Sequence, residues 1–194
     1  MYLVKIICYI SILVWLLPPF RQYKGGYFLY FLIMGYSDPL TLTLGWIFKI
    51  NANYTHLVIA FLLTISILFY NKNLNYKWII ALFLFLIFSI VKGDKEIRYL
   101  SIIIFHFIIF TQILIPSIKE FYIKQRINLY LTILSVYELT TIFKYTAFAY
   151  NYNSGVYFFY LSVAFELLIG LFFIFINLNN SPILKLPFRL SEEH

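Results

Sequence analysis

Val156 to Ile176 reads VYFFYLSVAFELLIGLFFIFI, 21 residues with a single charged side chain, Glu166, at the midpoint. A helix that crosses a bilayer needs about 20 mostly apolar residues, so the stretch reads as a spanning helix carrying an acid at mid-depth. An ionised carboxylate placed there costs about 2.5–3.5 kcal/mol on insertion scales. Glu166 is therefore expected to face protein, to sit partly in water, or to be protonated. Ser162 lies four residues before it and Gly170 four after, which sets all three on one helix face. Small residues at that spacing let a second helix approach closely, and the stripe predicts that Glu166 points into a helix bundle.

The rest of the chain resembles this stretch. Hydrophobic residues make up 62% of it, charged residues 12%, and the mean hydropathy is +0.85. Soluble domains carry about 25% charged residues, so a water-soluble globule is not expected, and the expected fold class is all-α, a polytopic membrane protein. Residues 1–177 form one transmembrane domain in this reading, and 178–194 a short polar tail. The formal charge of +7 comes from basic residues scattered singly between apolar segments, the pattern of membrane loops and not of a phosphate-binding face. The partner this implies is the lipid bilayer, with no nucleic acid. Cys8 is the only cysteine, which rules out an intrachain disulfide and a multi-cysteine zinc site. The N-terminal MYLVKIICYISILVWLLPPF lacks a small-x-small cleavage site and reads as a retained first helix.

Seven segments are expected to span: Tyr2–Pro18, Tyr27–Ile50, Tyr54–Tyr70, Trp78–Val91, Tyr99–Ile115 with its stop at Pro116, Ile127–Ala149 and Val156–Ile176. Tyrosines at their ends (Tyr27, Tyr54, Tyr70, Tyr76, Tyr99, Tyr150, Tyr152, Tyr157), with Trp46 and Trp78, read as an interfacial belt. Seven spans put the termini on opposite sides. One side then holds Arg21, Lys24, Lys72, Lys77, Lys119, Lys124, Arg126, Lys185 and Arg189; the other holds Lys5, Lys49, Lys92, Lys95, Arg98 and Lys144. The richer side is expected to be cytoplasmic, giving an inner-membrane protein with its N-terminus outside.

Sliding the chain by 100 residues aligns Asp38 with Glu138, Thr41 with Thr141, Phe48 with Phe148, Asn51 with Asn151 and Asn53 with Asn153; a shift of 98 matches Leu17-Pro18 with Ile115-Pro116. Segments one to three would then echo five to seven, with segment four as linker. This three-plus-one-plus-three plan of parallel repeats is similar to that of the SWEET-type sugar transporters. The resemblance covers the helix plan alone, since their proline-glutamine loop motif has no counterpart here.

Three acids fall inside the segments. Besides Glu166 there is Glu138, in line with Ser135, Thr141 and Tyr145 at helical spacings, and Asp38 in GYSDPLTLTLG. Asp before Pro is a helix-start pattern, so segment two is expected either to break at Ser37-Asp38-Pro39 or to carry an ordinary cap or kink. Lys144 is expected to snorkel to the interface, and His56, at a segment start, to be interfacial. His106 and Gln112 lie on segment five, and a lone His there reads first as a core residue. Intramembrane ionisable groups are functional candidates by default. The candidate ligand-binding or proton-linked set is Asp38, Glu138 and Glu166, with His106, Thr141 and Ser162 as further members. No HExxH, Gly-x-Ser-x-Gly or phosphate-binding glycine loop is present, and no metal or cofactor is implied. The leading expectation is a non-catalytic membrane module, a sensor or an accessory subunit of a membrane complex, working with a protein partner or as a homo-oligomer. A small-solute or proton-coupled transporter is the alternative, and an intramembrane lipid hydrolase using paired carboxylates the second alternative.

Overall fold

Four of the helices begin where a short polar side chain can cover the free amides of the first turn. Asn51 accepts from Asn53 N, Asn75 from Lys77 N, Asp94 from Ile97 N, and Asn128 from Tyr130 N and Leu131 N. The computed structural model describes residues 2–72, 75–150 and 156–185. These are mostly helical: α1 Tyr2–Trp15, α2 Pro18–Arg21, α3 Phe28–Ile47, α4 Ala52–Tyr70, α5 Tyr76–Val91, α6 Lys95–Lys124, α7 Leu129–Ala149 and α8 Val156–Phe175. Short strands β1 Arg126–Asn128 and β2 Ile183–Lys185 pair antiparallel, with Ile127 opposite Leu184. The described residues are thus all-α apart from this one clasp. Asn151, Tyr152, Asn153, Arg189 and His194 lie outside the described residues, as does the side chain of Tyr157.

At Pro39 one of two expected alternatives is removed, and at Pro116 the expectation is corrected. The segment around Asp38 is not broken, because α3 runs unbroken through Pro39. Proline removes one backbone bond, while Ser37 Oγ donates to Met34 O at 2.7 Å and Thr41 Oγ1 to Ser37 O at 2.8 Å along the same turns. Nor does the fifth segment stop at Pro116; α6 continues to Lys124. A proline at 116 deprives the Gln112 carbonyl of its helical donor, and Asn71 Nδ2 from the end of α4 supplies one at 3.0 Å. The helix therefore survives its proline by borrowing a neighbour's amide.

Apart from the single turn α2, successive helices alternate in direction. Tyr27, Tyr70 and Tyr130 meet at one end, with ring centroids 4.6 and 5.7 Å apart. Tyr99 meets Tyr145 and Phe148 at the other. Tyr27 is thus a core residue and not part of an interfacial belt, being 3% exposed. α8 lies beside α1 and runs parallel to it. A Cβ on Gly170 would come 2.9 Å from Val14 and 3.3 Å from the Trp15 ring, so the absent side chain at 170 is what admits α1. Gln22 Nε2 then donates to Phe173 O and Ile176 O, and Arg21 Nε to Phe175 O, covering the last carbonyls of α8.

The main apolar core (Phe31, Leu63, Ile67, Ile109, Ile113, Tyr130, Leu134, Phe173) lies between α3, α4, α6, α7 and α8, toward the end where Tyr27 sits. α5 packs more loosely on α4 and α6 through Leu86 and Ser89, whose Oγ is 2.8 Å from that of Ser101. The outward surface is apolar: Leu13, Phe20, Leu42, Trp46, Phe69, Trp78, Leu84, Phe107, Ile123, Phe143 and Leu168 are all exposed. By length and composition, α4 and α6 can each cross a membrane.

Close approach at Gly35 gives a test. A Cβ there would lie 2.7 Å from the Trp15 carbonyl oxygen, whereas at Gly45 the nearest atom is 3.7 Å away. Gly35→Ala should lower stability by about 1–3 kcal/mol and Gly45→Ala should leave it unchanged or raise it, measured as thermal unfolding of the purified protein in a neutral detergent.

Candidate binding site

The side chains that an apolar bundle tolerates least are gathered into one place. Glu138, on α7, is fully buried, with 0% exposure. Its environment satisfies both oxygens: the Tyr30 hydroxyl from α3 donates to Oε1, and His106 Nδ1 from α6 meets Oε2 at 2.7 Å. His106 is 5% exposed and stacks on Tyr145, with centroids 5.8 Å apart and planes at 18°. This carboxylate joins three helices. A buried acid without such partners would carry a large desolvation cost.

Six residues further along α7, Lys144 reaches across to α8, where its Nζ sits 2.8 Å from Glu166 Oε1. The expected snorkelling of Lys144 is thereby corrected. Two opposite charges inside apolar segments meet each other, because pairing relieves the desolvation that each would suffer alone. The two side chains keep 26% and 19% of their surface exposed, and that surface faces a cavity.

An inner chamber of about 70 Å³ is lined by Trp15, Met34, Ser37, Asp38, His56, Ile59, Leu63, His106, Tyr137, Thr141, Lys144, Tyr145 and Glu166. It adjoins a vestibule of about 300 Å³, and Asp38, His56, Lys144, Tyr145 and Glu166 line both. Ala52, Asn53, Tyr99 and Phe148 line the vestibule at the ends of their helices, which sets its mouth opposite the apolar core. Below the chamber the path is filled by Phe31, Ile67, Ile113, Tyr130 and Phe173, each at most 1% exposed. The cavity is open at one end and closed at the other.

Of the six residues expected at a site, Asp38, Glu166, His106 and Thr141 line the chamber, and Glu138 stands directly behind His106. Ser162 is half-buried on α8 and lines neither cavity. His56, expected at an interface, instead lines both cavities one helical turn into α4, near Tyr145. Asp38 makes no hydrogen bond or ion pair among the described residues, whereas Glu138 and Glu166 are both committed. Its freedom follows from the unbroken helix: a carboxylate not spent on capping projects into the cavity. Among the described residues no three His, Cys, Asp or Glu side chains converge as metal ligands.

Sequence reasoning missed Tyr30, His56 and Lys144, and it placed Tyr145 on the polar line of Glu138 without naming it a site residue. A usable signal existed for one of them, since a lysine within an apolar segment needs an acid and Glu166 was the midpoint acid of the next. Tyr30 carried no such mark among 18 tyrosines. No protein-family model, no curated protein and no solved structure matches this chain.

The two carboxylates should respond differently to removal. Glu138→Leu leaves Tyr30 and His106 buried without their acceptor and should cost about 3 kcal/mol. Glu166→Gln, in a pair that touches the cavity, should cost about 1 kcal/mol or less. Denaturant titration of the detergent-solubilised variants, followed by circular dichroism, checks both.

Proposed function

We propose that the chain is a multi-pass integral membrane module that binds a small polar solute in the chamber around Asp38, and that it acts as a sensor or an accessory subunit and not as a catalyst. The observation that carries the reading is the combination of an apolar exterior with a cavity of charged side chains closed at one end. Large apolar residues cover the outside of nearly every helix, an arrangement suited to lipid and costly in water. Beside the two apolar helices α4 and α6, the other five long helices would cross as well, giving seven spans.

Orientation follows from the charges. Lys144 is an interior ion-pair residue, so it leaves the count of loop charges, and among the described residues eight basic residues at the closed end face five at the open end. The positive-inside rule then sets the closed end in the cytoplasm and the vestibule toward the outside. A site filled in beneath by tightly packed aromatic and aliphatic side chains suits recognition followed by a change passed to a partner. Catalysis by paired acids is less well supported, because two of the three acids are already held by partners.

A second reading, a carrier of three-plus-one-plus-three plan, draws on the registers of α3 and α7. Residues 30, 31, 34 and 35 of one and 130, 131, 134 and 135 of the other are all buried, which agrees with the 100-residue offset, and the α1–α8 and α4–α6 packings would be its equivalent pairs. The repeat's Asn151 and Asn153 lie outside the described residues.

Cys8, the only cysteine, lines the vestibule and so reports on the proposal. A membrane-impermeant thiol reagent should label it in intact spheroplasts and fail to do so in sealed inverted vesicles. Labelling only from the inverted side would reverse the orientation, and labelling from neither would remove the open vestibule.

A further inference from the structure

We infer that the chamber's ligand is a small organic cation, a primary ammonium group carrying a compact apolar body, held by the Asp38 carboxylate. The inference rests on the reading of the cavity as a binding site and names what it takes. Around the chamber, Lys144 is neutralised by Glu166 at 2.8 Å and Glu138 has both oxygens engaged by Tyr30 and His106. Asp38 is left over, on the wall common to chamber and vestibule. Asp38 is therefore the acid on the cavity wall that has no hydrogen-bond or ion-pair partner among the described residues. A ligand bearing one positive charge supplies that partner, while an anion would meet Asp38 and Glu166 and would have to displace Glu166 from Lys144.

The walls favour the same chemistry. Trp15 and Tyr137, with ring centroids 5.0 Å apart, and Tyr145 line the chamber, and aromatic faces attract ammonium groups. Met34, Ile59 and Leu63 add apolar wall, and the Ser37 and Thr141 hydroxyls that also line the chamber already donate to backbone carbonyls. The inner space of about 70 Å³ suits an ammonium head, and the vestibule of about 300 Å³, walled partly by Ile12, Phe148 and Val163, suits an apolar body. An ammonium donates N–H bonds to Asp38 Oδ atoms with its charge toward the rings.

Trp15 is a built-in reporter. It is 6% exposed on the chamber wall, whereas Trp46 and Trp78 are 78% and 63% exposed on the outer surface. In a Trp46→Phe/Trp78→Phe background, purified in maltoside detergent, benzylammonium chloride should change Trp15 emission saturably and raise the melting temperature. Benzyl alcohol and benzoate at equal ionic strength should do neither. Asp38→Asn should weaken benzylammonium by about tenfold or more, the usual loss for one charge-assisted contact, and Asp38→Glu should restore part of it. Equal binding of benzyl alcohol or benzoate would overturn the inference, as would full affinity in Asp38→Asn. Saturation by potassium chloride alone, with loss of the benzylammonium response, would overturn it in favour of a metal monocation. Should Asp38→Asn misfold, the selectivity of the unsubstituted Asp38 protein among the three benzyl compounds still decides. Failure of the amine while Cys8 is labelled from the outside would reject the ligand class and leave the binding module standing; failure of that labelling rejects the reading beneath it.

Discussion

An ionisable group buried in an apolar bundle must be fully partnered, and in this chain the demand falls hardest on Glu138. Its carboxylate has no surface exposed, so each oxygen has to find a donor in another helix. Tyr30 and His106 provide them, one from α3 and one from α6. That requirement fixes the rotation of all three helices about their axes at once, because turning any of them by a residue would strand the acid. Van der Waals packing alone is permissive in such bundles, since a Leu or Phe fits against several neighbours. Here the polar contact selects the register, and the apolar side chains fill in around it.

Much else follows from that registration. With α7 turned so that Glu138 meets His106, Lys144 comes round toward α8 and Glu166, and Tyr145 stacks on the His106 ring. With α3 turned so that Tyr30 meets Glu138, Asp38 is carried to the wall of the cavity two turns further on. Gly170 and Gly35 then allow α1 to close against α8 and α3, bringing Trp15 onto the chamber as its aromatic wall. The chamber is thus the space left where polar side chains have satisfied one another and apolar packing has stopped. Its closed end is the aromatic core, and its open end lies among the helix termini.

The helices were legible in the sequence because long apolar runs mark them, and the expected segments agree with the observed helices to within a few residues over most of the chain. Pro116 was misread as a stop. Proline propensity is a local quantity, and what preserved α6 past Pro116 was an amide from Asn71, distant in sequence. Glu166 was rightly expected to face protein, since its Ser162-Glu166-Gly170 stripe is a helical property that needs no partner to be seen. Its partner was not foreseen, because Lys144 was judged only against its own helix. Asp38, read both as a possible cap and as a ligand-binding candidate, caps no broken helix and lines the cavity. The inward direction of a side chain depends on the neighbouring helices, and in a chain with 22 phenylalanines and 18 tyrosines the apolar pattern runs round the helix and marks no inner face.

The link between Tyr30 and Glu138 can be measured without reference to any ligand. In a double-mutant cycle of Tyr30→Phe and Glu138→Gln, both nearly isosteric, the coupling free energy is read from denaturant unfolding of the parent, the two single variants and the double variant. A coupling of about 1 kcal/mol or more is expected for a buried bond to a carboxylate. Additive losses, with coupling near zero, would mean that Glu138 does not fasten α3 to α7 and would contradict the account at its base.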